Sequence, residues 1–165
     1  MRNFAYYRSW HEAGQPRRNE QFWVSANGAF LDIAVLEWCK IFGDSKGKHR
    51  WAAVVADEAA FIPAMANALG IARGDFETCR AEVLRHRDKF VAHLDSDNTM
   101  DIPMLDIAER AVFCYHQHLV SREVADPIQV FRPLPASGKE LIMYFEHHCS
   151  AARHTYDRIL PPQNP

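Results

Sequence analysis

The chain has no uncharged apolar run long enough to span a bilayer, and its first residues, Met1-Arg2-Asn3-Phe4-Ala5-Tyr6-Tyr7-Arg8, lack the apolar core of a signal peptide. A membrane protein is therefore not expected, and a cytoplasmic one is. Positive charge is not in excess either: the net charge is -2. That excludes a globally basic coat for DNA or RNA, whose affinity comes from neutralising many phosphates. Any nucleic-acid contact would have to be local. The four cysteines (Cys39, Cys79, Cys114, Cys149) show no ligand spacing and lie in apolar helical patterns, as buried free thiols of a reducing compartment do. Strand-like alternation is nearly absent. There is no internal repeat and no low-complexity tract.

What remains is helical periodicity in 165 residues, enough for one domain with a real core. The pattern predicts an all-α fold, a helical bundle of four to six helices. Residues 1–18 read as an N-terminal extension, 19–160 as a single helical domain and 161–165 as a frayed tail. The first helix should run from about Asn19 to Ile41, with Gly43 as its stop. It is apolar on almost every side between Ala29 and Phe42, which predicts a central position. A helical region from His49 to Asn67 contains Pro63, as a kink or in the first turn of a new helix, and Gly70 closes it. In the next helix Asp75 is a cap, and Phe76, Cys79, Val83, Phe90 and Leu94 recur at helical spacing. Asp101 caps a further helix with Pro103 in its first turn and a stripe of Met104, Ala108, Ala111, Tyr115 and Leu119. Ser137-Gly138-Lys139-Glu140 is a capping box, and its helix buries Leu141, Phe145, Ala152, Tyr156 and Ile159.

One stretch breaks the pattern. On a wheel at ~100° per residue, Arg87 falls within roughly 40° of Phe76, Val83, Val91 and Leu94, in the middle of the face expected to be buried. A guanidinium cannot shed its proton, so a buried one needs compensation. His93 sits on the edge of the same stripe with Cys79, His86 and Phe90. Arg87-Asp88-Lys89-Phe90-Val91-Ala92-His93 thus places a cation, an acid and an imidazole together. Cleavage of RNA by its own 2′-hydroxyl requires a proton acceptor, a proton donor and a cation for the phosphorane. Histidine titrates in the right range, and arginine matches phosphate bidentately.

This motif, ending a helix of a helical bundle, resembles that of the HEPN superfamily (higher eukaryotes and prokaryotes nucleotide-binding), and most of all its AbiU-like, abortive-infection-type branch. Further words of the resemblance are Leu36-Glu37-Trp38-Cys39-Lys40-Ile41-Phe42-Gly43-Asp44, His49-Arg50-Trp51, the run Arg87 to Asp95, and Pro103-x-Leu105-Asp106-Ile107-Ala108. It covers roughly Asn19 to Leu119. The resemblance implies a HEPN-like bundle and a metal-independent endoribonuclease, or an RNA- or nucleotide-binding protein, of a prokaryotic defence or toxin–antitoxin system. Arg87 would clamp phosphate, His93 would be the acid/base, and Asp88 the supporting group. Arg80, His86 and Lys89 are candidates for substrate binding. It further implies a homodimer with facing motifs and an antitoxin protein as a partner, with no cofactor and no metal.

Other readings stand beside this one. Arg87 could be a structural pin paired with Asp32 or Glu37, with His93 capping its own helix end. The chain would then be a non-catalytic interaction or dimerisation module, or a helical protein binding a small anion at Arg87. His86 reads as a rim residue and the Trp38/Trp51 pair as packing for the end of the first helix. The acids Asp95 and Asp97 lack the glycine and glutamate of a calcium loop. The histidines His116, His118, His147, His148 and His154 read as polar surface, except His148, which falls on an apolar stripe.

Overall fold

The structure, a computed structural model, describes residues 1–91, 102, 103, 105–123 and 137–159. The fold is an all-α helical bundle: among the described residues there are six α-helices and no strand. They are α1 (Arg2–Glu12), α2 (Gln21–Trp38), α3 (Glu58–Leu69), α4 (Arg73–His86), α5 (Asp106–His118) and α6 (Gly138–Ile159). Three of them run on into a π-helical turn: Cys39–Gly43 after α2, Arg87–Val91 after α4 and Leu119–Glu123 after α5. The chain forms two compact units, Met1–Ala34 with Ile142–Pro165, and Val35–Leu141.

In the first unit the stretch expected as an extension contains α1. Its buried positions are Ala5, Ser9 and Trp10. A serine in the middle of that stripe hides the helix from hydrophobic periodicity. The Ser9 hydroxyl donates to the Cys149 carbonyl at 3.3 Å, which satisfies it inside the packing. Trp10, Ala152 and Tyr156 form the core, with Tyr6, Ala13, Trp23 and Ile159 packed around them. Tyr6 also holds His148, its hydroxyl 3.1 Å from Nδ1. His148 is thus a satisfied, half-buried residue, as its place on the stripe suggested.

The second unit is built on aromatic contacts. Phe42 is the hub, with ring centroids 5.0 Å from Trp38, 5.7 Å from Phe76 and 5.8 Å from Tyr115. Trp38 donates its indole N–H to the Ala108 carbonyl at 3.0 Å. Trp51 stacks instead on Phe61 of α3 at 5.0 Å, so the two tryptophans serve different neighbours.

The local rules account for most helix ends, with shifts at three of them. Helix α3 starts at Glu58 because the Asp57 carboxylate accepts from the Ala60 amide, and it runs on through Pro63. Gly70, at φ 68°, ends it in the left-handed conformation that glycine adopts without a Cβ penalty. Asp75 caps α4 from inside, accepting from the Ala72 amide at 2.9 Å. Helix α5 begins at Asp106, so Pro103 precedes it; Asp101 and Met104 lie outside the described residues. Ala108, Ala111 and Tyr115 are its buried face, as the stripe predicted. At α6 the Ser137 hydroxyl accepts from the Glu140 amide at 3.1 Å.

Candidate functional site

Helix α4 buries Phe76, Cys79, Val83 and His86, spaced three, four and three residues apart. The centre of that stripe lies to one side of Arg87, which therefore reaches the rim of the packing and not its middle. The Arg87 side chain is 24% exposed. His86, by contrast, is 2% exposed, which corrects the rim position expected for it. A side chain sealed this far inside does not meet a substrate.

Two π-turns meet at Arg87, the one that follows α2 and the one that Arg87 itself opens after α4. Such turns insert a residue into the helical ladder and are frequent at functional sites. The turn after α2 is locked by Arg80. Its Nε donates to the Phe42 carbonyl at 2.7 Å and its Nη2 to the Gly43 carbonyl at 3.4 Å, while Nη1 lies 3.3 Å from Glu77. These carbonyls belong to a helix end and have no intrahelical partner of the usual kind, so the guanidinium supplies one. The donors of Arg80, a candidate substrate ligand by sequence, thus serve the turn. Gly43 admits the close approach of α4: a Cβ there would stand 2.8 Å from Leu84 Cδ2.

The turn ends at Asp44, whose amide donates to the Cys39 carbonyl at 2.9 Å. Its carboxylate Oδ1 lies 3.3 Å from Arg87 Nη1. On the other side, Arg87 Nε and Nη2 both reach Asp88 Oδ1 at 2.8 Å. The acidic partners of Arg87 are therefore Asp44 and Asp88. Of the partners expected from the first helix, Glu37 is engaged with Lys40. Burial works against the charge of Arg87. The hydrogen bond to Asp88 and the fields of Cys39, Asp88 and Asp44 outweigh it and raise its pKa above the ordinary value.

Cys39, 2% exposed, also meets this guanidinium. Burial pushes its thiol up to about 11, against the pull of Arg87 and with the added repulsion of Asp44 and Asp88. A thiol so poised stays protonated and inert at neutral pH. Lys89 is half-buried beside Asp88. His93, the remaining member of the motif, lies outside the described residues, as do the side chains of Phe90 and Val91 and all of the acidic turn 95–98. Among the described residues no group of three or more His, Cys, Asp and Glu side chains is arranged to hold a metal ion, and no helix is long and apolar enough to cross a membrane.

Sequence reasoning reads Gly43 to Lys48 as a loop but gives neither Asp44 nor the loop a part in the site. The run Ser45-Lys46-Gly47-Lys48-His49-Arg50 contains three cations, and no acid follows Asp44 until Asp57. That local excess of charge is a signal that could have found it. No family model, curated protein or solved structure matches the chain.

Proposed function

We infer that the chain is a HEPN-like RNA-binding protein that cleaves RNA without a metal, with Arg87 as its phosphate clamp. The supporting observation is the setting of Arg87: a guanidinium oriented by two short contacts to Asp88, with a longer one to Asp44, yet still 24% open to solvent. A guanidinium pre-oriented by carboxylates forfeits less freedom when it meets a phosphate. A structural pin would instead be closed over. In this reading His93, six residues on, takes the proton from the 2′-hydroxyl or returns one to the leaving 5′-oxygen. The 2′-oxygen attacks phosphorus, the bond to the 5′-oxygen breaks, and a 2′,3′-cyclic phosphate remains. One subunit supplies one such imidazole. A two-fold homodimer supplies two, enough for an acid and a base. A cytoplasmic site of action and an antitoxin partner belong to the same reading.

The test is cleavage of RNA by the purified protein in EDTA, with Arg87→Ala and His93→Ala beside it. Cyclic-phosphate ends, lost in both folded variants, are the expected result. No cleavage of varied RNAs by the wild-type protein overturns the nuclease. A second reading, a non-catalytic interaction module, draws on another observation: Phe22 and Met143 are large apolar side chains 70% and 58% exposed. It predicts self-association that Phe22→Ser or Met143→Ser abolishes, with no RNA cleavage.

A further inference from the structure

The loop that leaves Asp44 is short, basic and tied down at both ends. At its root the Asp44 carboxylate faces Arg87. Gly47 turns back over that same carboxylate: a Cβ on Gly47 would stand 3.1 Å from both Asp44 Cβ and Oδ2. Gly47 and Arg87 thus both approach the one carboxylate, Gly47 near Oδ2 and Arg87 at Oδ1. The loop is closed by Arg50, whose Nη1 donates to the Ser45 carbonyl at 2.9 Å and whose amide donates to the Gly47 carbonyl. Beyond it, Trp51 stacks on Phe61 and anchors the exit to α3. The residues that flank Gly47 are lysines, and Lys46, Lys48 and His49 are all exposed.

We propose that this loop, Ser45 to Arg50, is the track for the RNA backbone next to the cleavage site: Lys46 and Lys48 contact the phosphates flanking the one held by Arg87. The assignment rests on the reading of Arg87 as a phosphate clamp. Three features favour a nucleic-acid strand over an isolated anion. The cations alternate along one loop, at positions 46, 48 and 50. The side chains of Lys46 and Lys48 are exposed, where a polyanion can pass. The closed loop limits the entropy lost on ordering it. A chain of net charge -2 that concentrates three cations in five residues makes a local electrostatic footprint. His49 stands beside Lys48 as an imidazole ring on which a base can stack.

The experiment measures binding of a fluorescent 2′-O-methyl oligoribonucleotide, which lacks the attacking hydroxyl, by anisotropy over a range of salt. The full-length protein is compared with Lys46→Ala/Lys48→Ala and Lys46→Arg/Lys48→Arg. For the wild type, affinity should fall as salt rises. In the alanine pair it should be weaker, with the slope of log affinity against log salt smaller by about 1.4, for two lost single-strand phosphate contacts. The arginine pair should behave as wild type. The lysines are exposed, so the variants keep the fold, which circular dichroism checks. An alanine pair with wild-type affinity and slope overturns the loop assignment and leaves the Arg87 reading untouched. Lysine-dependent binding by a protein that leaves unmodified RNA uncut supports the loop and removes the nuclease. No binding by the wild-type protein overturns both. Lysine-dependent binding of poly-glutamate but not of the oligonucleotide overturns RNA in favour of an acidic protein.

Discussion

Arg87 and Asp44, 43 residues apart in sequence, meet at the junction of two π-turns with Nη1 and Oδ1 3.3 Å apart. The contact is long for a charge-assisted hydrogen bond, whereas the Asp88 contacts at 2.8 Å are of ordinary length. Asp88 therefore orients the guanidinium, and Asp44 occupies the donor that is most easily released. A phosphate oxygen arriving at Nη1 would compete with one weak, half-exposed carboxylate.

Replacing Asp44 with Asn tests that competition. Half-exposed ion pairs contribute about 0.2–1 kcal/mol, so weakening the hold on Nη1 and removing a negative charge should tighten oligonucleotide binding by up to about five-fold. Anisotropy titration at low salt reads this directly. Weaker binding in Asp44→Asn would mean that Asp44 positions Arg87 and does not compete for it.

Arg80→Ala should loosen the same junction from behind. It removes the donors for the Phe42 and Gly43 carbonyls. A charged hydrogen bond to a buried partner contributes about 1.5–3 kcal/mol, and partial exposure of the side chain places this one near the lower end. For a chain of this size the melting temperature should drop by a few degrees. Arg80→Lys should recover part of the loss, because one ammonium can still reach one carbonyl. An unchanged melting temperature in Arg80→Ala would show that solvent satisfies the turn equally well.

Stability should decline in alkali through Cys39 and Cys79. Burial holds both thiols at about 11, against 9.0 for an unburied one. Between those values the unfolded chain has lost protons that the folded chain keeps, so the free energy of unfolding falls as pH rises. The contribution is complete below pH 9 and gone above about pH 11. Urea midpoints at pH 8 and 10.5 measure it, with Cys39→Ala/Cys79→Ala as the control for tyrosine titration. The double variant should show the shallower decline; equal declines would remove the thiols as the cause.

Much of the helical framework was legible in advance because it depends on local rules. The stripe Phe76, Cys79 and Val83 in α4, the face Ala108, Ala111 and Tyr115 of α5, the Gly70 stop and the Ser137 cap all follow from spacing and side-chain chemistry within a few residues. Helix α1 escaped notice because its buried centre is Ser9, a residue that becomes apolar in effect only once Cys149 accepts its hydrogen bond. Arg87 was misplaced by the wheel for two related reasons. The buried stripe turns toward His86, and the regular period ends at Arg87, where the backbone widens into a π-turn. No local pattern signals that change of pitch.

By itself, then, the order of residues determined the all-α architecture, most caps and stops, and the adjacency of Arg87 to Asp88. Those features arise from backbone propensities and from interactions spanning a turn or two, which any segment carries with it. Only the tertiary structure decided that Arg87 would face Asp44, that Arg80 would serve the carbonyls of a distant turn, and that the basic loop would fold back over Asp44 at Gly47. Those pairings depend on which helix ends the aromatic packing around Phe42 brings together, and close packing of that kind is a property of the assembled unit and not of any one segment.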